Sequence, residues 1–179
     1  GREVSMRMLL RFGASCAAAE PTTGLTPLHM AAEHGHESCI QAAVDCQAKL
    51  DTLDNKQQTP LHIAARGGQL GCVEALLRGS AAVNAAAADS SGGLTPLHEA
   101  ASSGHKDVAL ALVKAGADLQ LRSAQGSLAV DLALSNGHQA LAAKLGASVK
   151  EEDVVRGTGG EVTAAVADDS TEGLVPSDE

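Results

Sequence analysis

The chain contains the tetrapeptide Thr-Pro-Leu-His three times, at residues 26–29, 59–62 and 95–98. The first two copies start 33 residues apart, and the next two start 36 residues apart. An eroded fourth copy, Leu-Ala-Val-Asp, follows at 128–131. A recurring period of this length indicates one small helical unit stacked on itself, because a unit of this size cannot bury its apolar side alone.

The motif predicts the start of a helix. A threonine at the N-cap accepts a backbone N–H, proline fits the first helical position, and leucine then faces the core. A pair of small residues lets two helices approach closely, and a glycine ends the short helix in a left-handed conformation. A second apolar helix follows each glycine. The recurring structural residues are Thr26, His29, Thr59, His62, Thr95 and His98, with Gly35, Gly68, Gly104 and Gly137 at the helix ends.

With the tetrapeptide and the glycine in register, each unit strongly resembles the ankyrin repeat. The resemblance covers roughly residues 4–145. It implies an all-α fold, an ankyrin-repeat solenoid of stacked helix-turn-helix units with protruding β-turn or hairpin loops. Because the opening segment matches a second helix and its exit, we expect a fragment whose N-terminal neighbour is missing. The expected divisions are a partial repeat at 1–23, repeats at about 24–56, 57–92 and 93–125, and a capping repeat at 126–149.

The composition favours a thin core. Apolar residues make up 44% of the 179 residues, yet Phe12 is the only aromatic one. Stacked helix pairs need only Ala, Leu and Val between their layers. No apolar run is long enough for a membrane span, and no cysteine pair has Cys-x-x-Cys spacing. We therefore expect a cytoplasmic or nuclear protein that does not enter a membrane.

The formal charge of −9 is unevenly placed. Residues 1–149 carry 11 basic and 13 acidic side chains, whereas residues 150–179 carry 2 and 9. Because there is no basic stripe, we expect no binding to nucleic acid. The Gly-, Ser- and Asp-rich segment 150–179 predicts an acidic disordered tail. Two functional alternatives remain for this segment: it docks to a basic partner, or it tethers the repeats to another domain.

The histidines invite a catalytic or metal-binding interpretation. However, His29, His62 and His98 recur in units stacked roughly 8–10 Å apart, too far for one metal ion. The resemblance implies that each bonds the threonine of its own motif and a carbonyl of the neighbouring loop. His34 has no equivalent in other repeats; it is either a partner contact or a solvated side chain. Since catalytic motifs are also missing, we expect no metal, no cofactor and no enzymatic activity.

The resemblance places partner binding on the concave face, formed by the first helices and the loop tips. Interface hot spots favour Trp, Tyr and Arg, and this surface has neither Trp nor Tyr. We therefore expect Arg66 and Arg122 to be the anchors of a polar interface of moderate affinity, with an acidic or extended peptide. The candidate contact residues are Leu25, Glu33, His34, Leu53, Asn55, Lys56, Gln58, Arg66, Leu94, Ser102, Ser103, Arg122, Gln125 and Asn136.

Departures from the repeat predict weak points. The glycine after the second helix is replaced by Gln47 and Ser80, and either side chain strains a left-handed residue by about 1 kcal/mol. The first complete repeat has Cys39, Ala42 and Ala43 where larger residues are usual, so its layer is thin and we predict that it opens first. The loop 84–94 holds three extra residues and predicts a mobile finger, either a specificity element or tolerated slack.

We therefore interpret the chain as a monomeric protein-interaction module that binds a protein or peptide partner. The recurring residues build the scaffold, so binding specificity is expected at the positions that do not recur. Two alternatives stay open. The chain is the substrate-recruiting part of a larger enzyme, such as a ubiquitin ligase, kinase or acyltransferase, or it is an assembly chaperone.

Overall fold

Four helix-turn-helix pairs follow one another between residues 27 and 156. The computed structural model describes residues 19–156, with the backbone alone for Asp89 and for 148–156, and no strand occurs within these residues. Residues 1–18, where most of the partial repeat is expected, and residues 157–179 of the tail lie outside the described residues. Repeat 1 is α1 (Pro27–Glu33) and α2 (Glu37–Asp45), repeat 2 is α3 (Pro60–Arg66) and α4 (Leu70–Arg78), repeat 3 is α5 (Pro96–Ser103) and α6 (Lys106–Lys114), and repeat 4 is α7 (Ala129–Ser135) and α8 (Gln139–Arg156).

The pairs stack into two layers. The first helices α1, α3, α5 and α7 pack on one another in that order, and α2, α4 and α6 form the second layer. Each first helix of repeats 1–3 buries one leucine almost completely, and the alanine pairs have little or no exposed surface. Because alanine lets adjacent backbones approach, the core is thin and continuous from repeat to repeat. The all-α solenoid expected from the repeat is confirmed.

The turn within each of repeats 1–3 contacts the next repeat. At Gly68 the φ angle is +69°, and an added Cβ would lie 2.6 Å from the imidazole Cε1 of His105. The Nε2 atom of His105 also donates to the carbonyl of Arg66 at 3.0 Å. Gly137, in the last repeat, has a φ of +81° but open space around it. Glycine is thus required at Gly68 for two reasons, its backbone conformation and the ring packed against it.

The second helices end in left-handed residues that are not all glycine. Gln47 has a φ of +54° and Ser80 a φ of +65°, at positions equivalent to Gly116. The residue that follows each of them donates its N–H to a carbonyl of the helix. Ala48 donates to Ala43 at 2.9 Å, and Ala81 donates to Leu76 at 3.1 Å. The geometry is that of a Schellman-type C-cap, which favours glycine.

The loop tips are joined by backbone hydrogen bonds. The loop 84–94 contains a short 3-10 helix at Asp89–Ser91, in which the N–H of Ser91 donates to Ala88 at 2.8 Å. The three extra residues therefore form a bonded turn, which their composition did not predict. Neighbouring tips are linked by three backbone hydrogen bonds. The N–H groups of Asn55, Ala88 and Ala124 donate to the carbonyls of Thr23, Lys56 and Gly92, at 3.1, 3.1 and 2.9 Å respectively.

The last helix is longer than the sequence predicted. We expected a short helix from Gln139 to Leu145 and a disordered tail from Lys150, but α8 runs Gln139–Arg156. Residues 146–156 include Ala, Lys, Glu and Arg, which have high helix propensity, and contain no proline. The helix, which packs on α7, continues through Gly146 although glycine is a poor helix former, and the expectation of disorder was wrong for 150–156.

Candidate functional site

The motif histidines are fixed in the scaffold. In repeat 2, Nε2 of His62 donates to the carbonyl of Leu94 at 3.0 Å, and Nδ1 accepts the backbone N–H of Thr59 at 3.1 Å. A carbonyl can only accept and a backbone N–H can only donate, so the ring must be neutral with its proton on Nε2. The same arrangement recurs in His29 with the carbonyl of Gln58 at 2.9 Å and in His98 with the carbonyl of Ser127 at 3.2 Å.

The threonine hydroxyls bond the motif histidines, as the resemblance implied, and these contacts are closer than their contacts with the helix N–H groups. We expected each hydroxyl to accept an N–H of the first turn, but its short contact is with the imidazole, at 2.9 Å between Thr59 Oγ1 and His62 Nδ1. Because Nδ1 is unprotonated, the hydroxyl donates to it. In repeat 3, Thr95 Oγ1 also accepts the N–H of His98, at 3.5 Å. The threonine therefore holds the ring as well as capping the helix.

Burial keeps these rings neutral. It lowers the pKa of His62 to about 4, and the pKa values of His29 and His98 are lowered for the same reason. Each ring is almost completely buried, and both of its nitrogens are hydrogen-bonded. Such histidines are structural ties that are unavailable for proton transfer or metal binding.

A groove of about 310 Å³ lies between repeats 1 and 2. It is formed by α1, α3 and the adjoining loop tips, and Leu25 and Ile63 contribute apolar surface to it. Four charged residues line it: Glu33, Lys56 and Arg66 are exposed, and Asp54 is half-buried. The candidate contact residues that the structure brings together here are Leu25, Glu33, Asn55, Lys56, Gln58 and Arg66.

A polar triad stands behind one wall of the groove. The amide of Gln58 donates from Nε2 to Glu99 Oε1 at 3.0 Å and accepts from Arg66 Nη1 at 3.1 Å. Arg66 Nη1 itself lies 3.5 Å from Glu99 Oε1. The triad joins repeats 2 and 3, since Glu99 belongs to α5 and Arg66 to α3.

Glu99 is the residue that our sequence reasoning missed. It is only 6% exposed, at the position occupied by Met30, Ile63 and Leu132 in the other repeats. Burial raises the pKa of its carboxyl, and the nearby Arg66 guanidinium offsets part of this effect. The signal that could have revealed it is a carboxylate at a position that is apolar in every other repeat.

Gln58, which we expected to contact a partner from its loop, is buried. It is 3% exposed, its carbonyl accepts from His29, and its side chain bridges Arg66 and Glu99. The sequence around a loop residue does not reveal its burial, because the residues that bury it belong to other parts of the chain. Gln58 therefore contributes to the groove as part of its wall.

The remaining candidate contacts lie apart from this groove. Arg122 donates from Nη1 to the carbonyl of Gly126 in its own loop at 2.7 Å. The side chain of Asn136 donates to the carbonyl and hydroxyl of Ser102, at 3.1 and 3.0 Å, and thereby joins repeats 3 and 4. Leu53 is 54% exposed. Ser103 and Leu94 are half-buried and Gln125 is exposed. The structure thus separates Arg122 from Arg66.

His34 lies on another cavity, at the N-terminal end of the described repeats. This cavity is larger, about 710 Å³, and its lining includes Met30, Ala31 and Cys39. Ala19 and Glu20, where the described residues begin, also line it. The smaller groove is enclosed by described residues from two repeats, so it is the better-defined candidate site.

The described residues show no sign of a reactive centre. Within residues 19–156, no group of three His, Cys, Asp or Glu side chains could hold a metal ion. Burial raises the pKa of the Cys72 thiol to about 11, so it stays protonated at neutral pH and is a poor nucleophile. In the same part of the chain, no helix combines the length and apolar character that a bilayer requires.

Helical units that share a continuous core, each tied to the next by a motif histidine, define a solenoid repeat protein. Two family profiles match the chain: "Ankyrin repeats (3 copies)" over residues 3–87, and "Ankyrin repeat" over residues 92–124. The chain belongs to the ankyrin repeat family. None of the curated proteins matches it significantly.

Proposed function

We propose that the chain is a protein-interaction module that binds an extended segment of a partner protein in the groove between repeats 1 and 2. Ankyrin repeats are generally protein–protein interaction modules. The observation that carries the proposal is the groove itself, which collects apolar and charged side chains from two helices and two loop tips. Apart from Leu25, which recurs as Leu94, its apolar and charged side chains do not recur from repeat to repeat.

The size of the groove favours an extended segment. A volume of about 310 Å³ is at the lower end of ligand pockets and takes one or two side chains. The loop tips at its edge are already joined, since Asn55 N–H donates to Thr23 and the Asn55 side chain donates to Thr22 at 2.9 Å. A preformed groove loses little conformational entropy when a partner binds.

Arg66 and Lys56 are the proposed anchors. The Arg66 side chain is 44% exposed, while its Nη1 is held by Gln58 and its backbone carbonyl is held by His105. Lys56 is exposed on the loop tip. An arginine fixed at both ends loses few rotamers on binding, which is the property of an interface hot spot.

The test compares the wild-type chain with the double variant Lys56→Ala/Arg66→Ala. Each full-length protein is immobilised, bound proteins are quantified from cell extract, and the affinity of each recovered partner is then measured with purified components. We expect at least a tenfold loss of affinity in the double variant. The matched control is Lys114→Gln on α6, an exposed cation away from the groove. A partner that binds the double variant as tightly as the wild type would contradict the proposal.

A further inference from the structure

Three exposed charged side chains at positions that do not recur border the groove. Glu33 and Arg66 end α1 and α3, whereas serine occupies the same position in repeats 3 and 4. Lys56 lies in the loop tip before α3, and the residues at its position in the other loops are uncharged. Since the other repeats stack without these charges, the scaffold does not require them.

Some of the charged groups at the groove are already bonded within the fold. Oδ1 of Asp54 accepts two backbone N–H groups of its own loop, each at 2.8 Å. Arg66 is paired with the buried Glu99 at 3.5 Å. The side chains of Glu33 and Lys56, by contrast, have no hydrogen-bond or ion-pair partner within residues 19–156. One exposed carboxylate and one exposed ammonium group therefore remain for a partner.

The full set of charges does not favour a partner of a single sign. A purely acidic segment would be attracted by Lys56 and Arg66, but the carboxylates that line or lie behind the groove would repel it. These carboxylates are Glu33, Asp54 and Glu99. A purely basic segment would meet the two exposed cations. Complementarity requires a segment that carries both signs.

The two unpaired charges lie at opposite ends of the groove. Glu33 ends α1, Lys56 precedes α3, and these two first helices pack side by side. Because α1 has seven residues, the two ends are roughly 10 Å apart. The Arg66 guanidinium reaches back to Gln58, at the loop end, and so adds its charge there. Ile63 in the middle of α3 provides apolar surface between the ends.

We propose that the partner segment carries an acidic, an apolar and a basic residue at alternate positions. The acidic side chain meets Lys56 and Arg66, the apolar one lies on Ile63, and the basic one meets Glu33. In an extended chain alternate side chains share a face, and positions i and i+4 are about 13 Å apart, which spans the groove. The inference rests on the proposed function and names the kind of segment that the groove selects.

The probes are capped pentapeptides with leucine at the centre and serine on either side of it. The mixed-charge probe is acetyl-Glu-Ser-Leu-Ser-Lys-amide, and its reversed sequence covers a segment that runs in the other direction. Three further peptides carry Glu, Lys or Gln at both ends. Each is titrated into the isotope-labelled full-length chain, and binding is followed by NMR at the backbone amides of Asn55, Ile63 and Arg66.

For the wild type we expect the better mixed-charge peptide to bind most tightly. Each exposed charge pair should add about threefold in affinity, so this peptide should bind about tenfold more tightly than the one with Gln at both ends. The peptides with Glu or Lys at both ends should lie between, because each satisfies one end of the groove and is repelled at the other.

Charge reversal at either end of the groove should change the preference in a defined direction. Glu33→Lys should bind the peptide with two Glu residues most tightly, and Lys56→Glu the peptide with two Lys residues. Both positions are exposed and unpaired, so the urea midpoints should equal that of the wild type. The matched controls Glu74→Lys on α4 and Lys114→Glu on α6 reverse exposed charges away from the groove and should leave the preference unchanged.

Every other outcome counts against the inference. If a peptide of one sign binds the wild type most tightly, the partner segment has that sign instead. Equal binding of all the peptides, a complete lack of binding, or a preference that neither reversal changes also overturns the mixed-charge segment. A lower midpoint in either variant would show that the side chain is used within the fold. The proposed function fails as well only if no recovered partner depends on Lys56 and Arg66.

Discussion

Nη1 of Arg66 lies 3.5 Å from Oε1 of Glu99, so an ion pair joins the first helices of repeats 2 and 3. The two side chains are unequally buried, at 44% and 8% exposure. Water can hydrate Arg66 if its partner is removed, but it reaches little of Glu99. The two residues should therefore contribute differently to stability.

We expect Glu99→Leu to leave the free energy of unfolding within about 1 kcal/mol of the wild-type value, because the gain from removing a buried carboxylate is offset by the loss of its hydrogen bond to the buried Gln58 amide. Arg66→Leu should lower it by about 2 kcal/mol, since it leaves Glu99 buried without a counterion. Urea unfolding followed by circular dichroism measures both. The free energy of unfolding of the double variant should be closer to that of Glu99→Leu than to that of Arg66→Leu. Equal losses in the two single variants would show instead that the pair is a net stabiliser.

The neutral motif histidines predict a loss of stability in mild acid. The pKa of His62 is lowered to about 4 in the folded chain from the 6.5 of an unperturbed histidine, so the unfolded chain binds more protons between these values. Stability should be fully present above pH 6.5 and should fall as the pH drops towards 4. His62 alone accounts for about 1 kcal/mol between pH 7.5 and 5.5. The lowered pKa values of His29 and His98 add to this loss.

Urea midpoints at the two pH values measure this effect. The raised pKa of Glu99 acts in the opposite sense, because its protonation favours the folded state as the pH falls. The pH dependence should therefore be steeper in Glu99→Gln than in the wild type. Identical midpoints at pH 7.5 and 5.5 in that variant would contradict the neutral assignment of the three rings.

Gly68→Ala should destabilise the chain more than Gly137→Ala. Both glycines have positive φ, so both substitutions cost about 1 kcal/mol for the left-handed conformation. At Gly68 the new Cβ also collides with the ring of His105, which should add on the order of 1–3 kcal/mol. Thermal unfolding of the two variants compares them directly. Equal losses would show that the ring moves aside without cost.

Gln47→Gly and Ser80→Gly should each stabilise the chain by about 0.5–1 kcal/mol. Both residues hold a left-handed conformation that glycine adopts without strain. The loss of chain entropy for a glycine reduces the gain, which is why the expected value is small. A matched control is Lys49→Gly, an exposed loop residue without positive φ, which should be neutral or destabilising. A decrease in the urea midpoint of both glycine variants would contradict the expected backbone strain at Gln47 and Ser80.

Repeat 1 should exchange its backbone amides faster than repeats 2 and 3. Ala43 in α2 occupies the position of Leu76 in α4 and Leu112 in α6, so the second layer is thinnest there. Ala42 does not contribute to the difference, because Ala75 and Ala111 occupy the same position. Hydrogen exchange of the native chain, compared helix by helix, measures the effect. The highest protection in α2 would contradict it.

The Thr-Pro-Leu-His spacing was sufficient to predict the helix pairs and their order. The conformation of Gly68 and Gly104 could also be predicted, because a positive φ is a local property that glycine meets without strain. The 3-10 turn at Asp89–Ser91 could not, since its hydrogen bonds depend on where the loop is pinned to Lys56. The length of α8 was missed because its polar composition suggested disorder.

The residues of the groove could likewise be predicted only in part from the sequence. The sequence placed Lys56 and Arg66 on the binding face by analogy with other repeats, but it could not show that Arg122 is bonded within its own loop. It also gave no reason to connect Gln58 with Glu99, which are 41 residues apart. Only the stacking brings these two side chains within hydrogen-bonding distance.

By itself the sequence therefore determined the repeating scaffold: its caps, its glycines, its helix order and its thin core. These features follow from local conformational preferences and from a period that every unit repeats. The tertiary structure decided which non-recurring side chains meet. It is the stacking that brings Arg66 into contact with Gln58 and Glu99. The reason is that contacts between repeats depend on the register and spacing of the stack, which no single unit encodes.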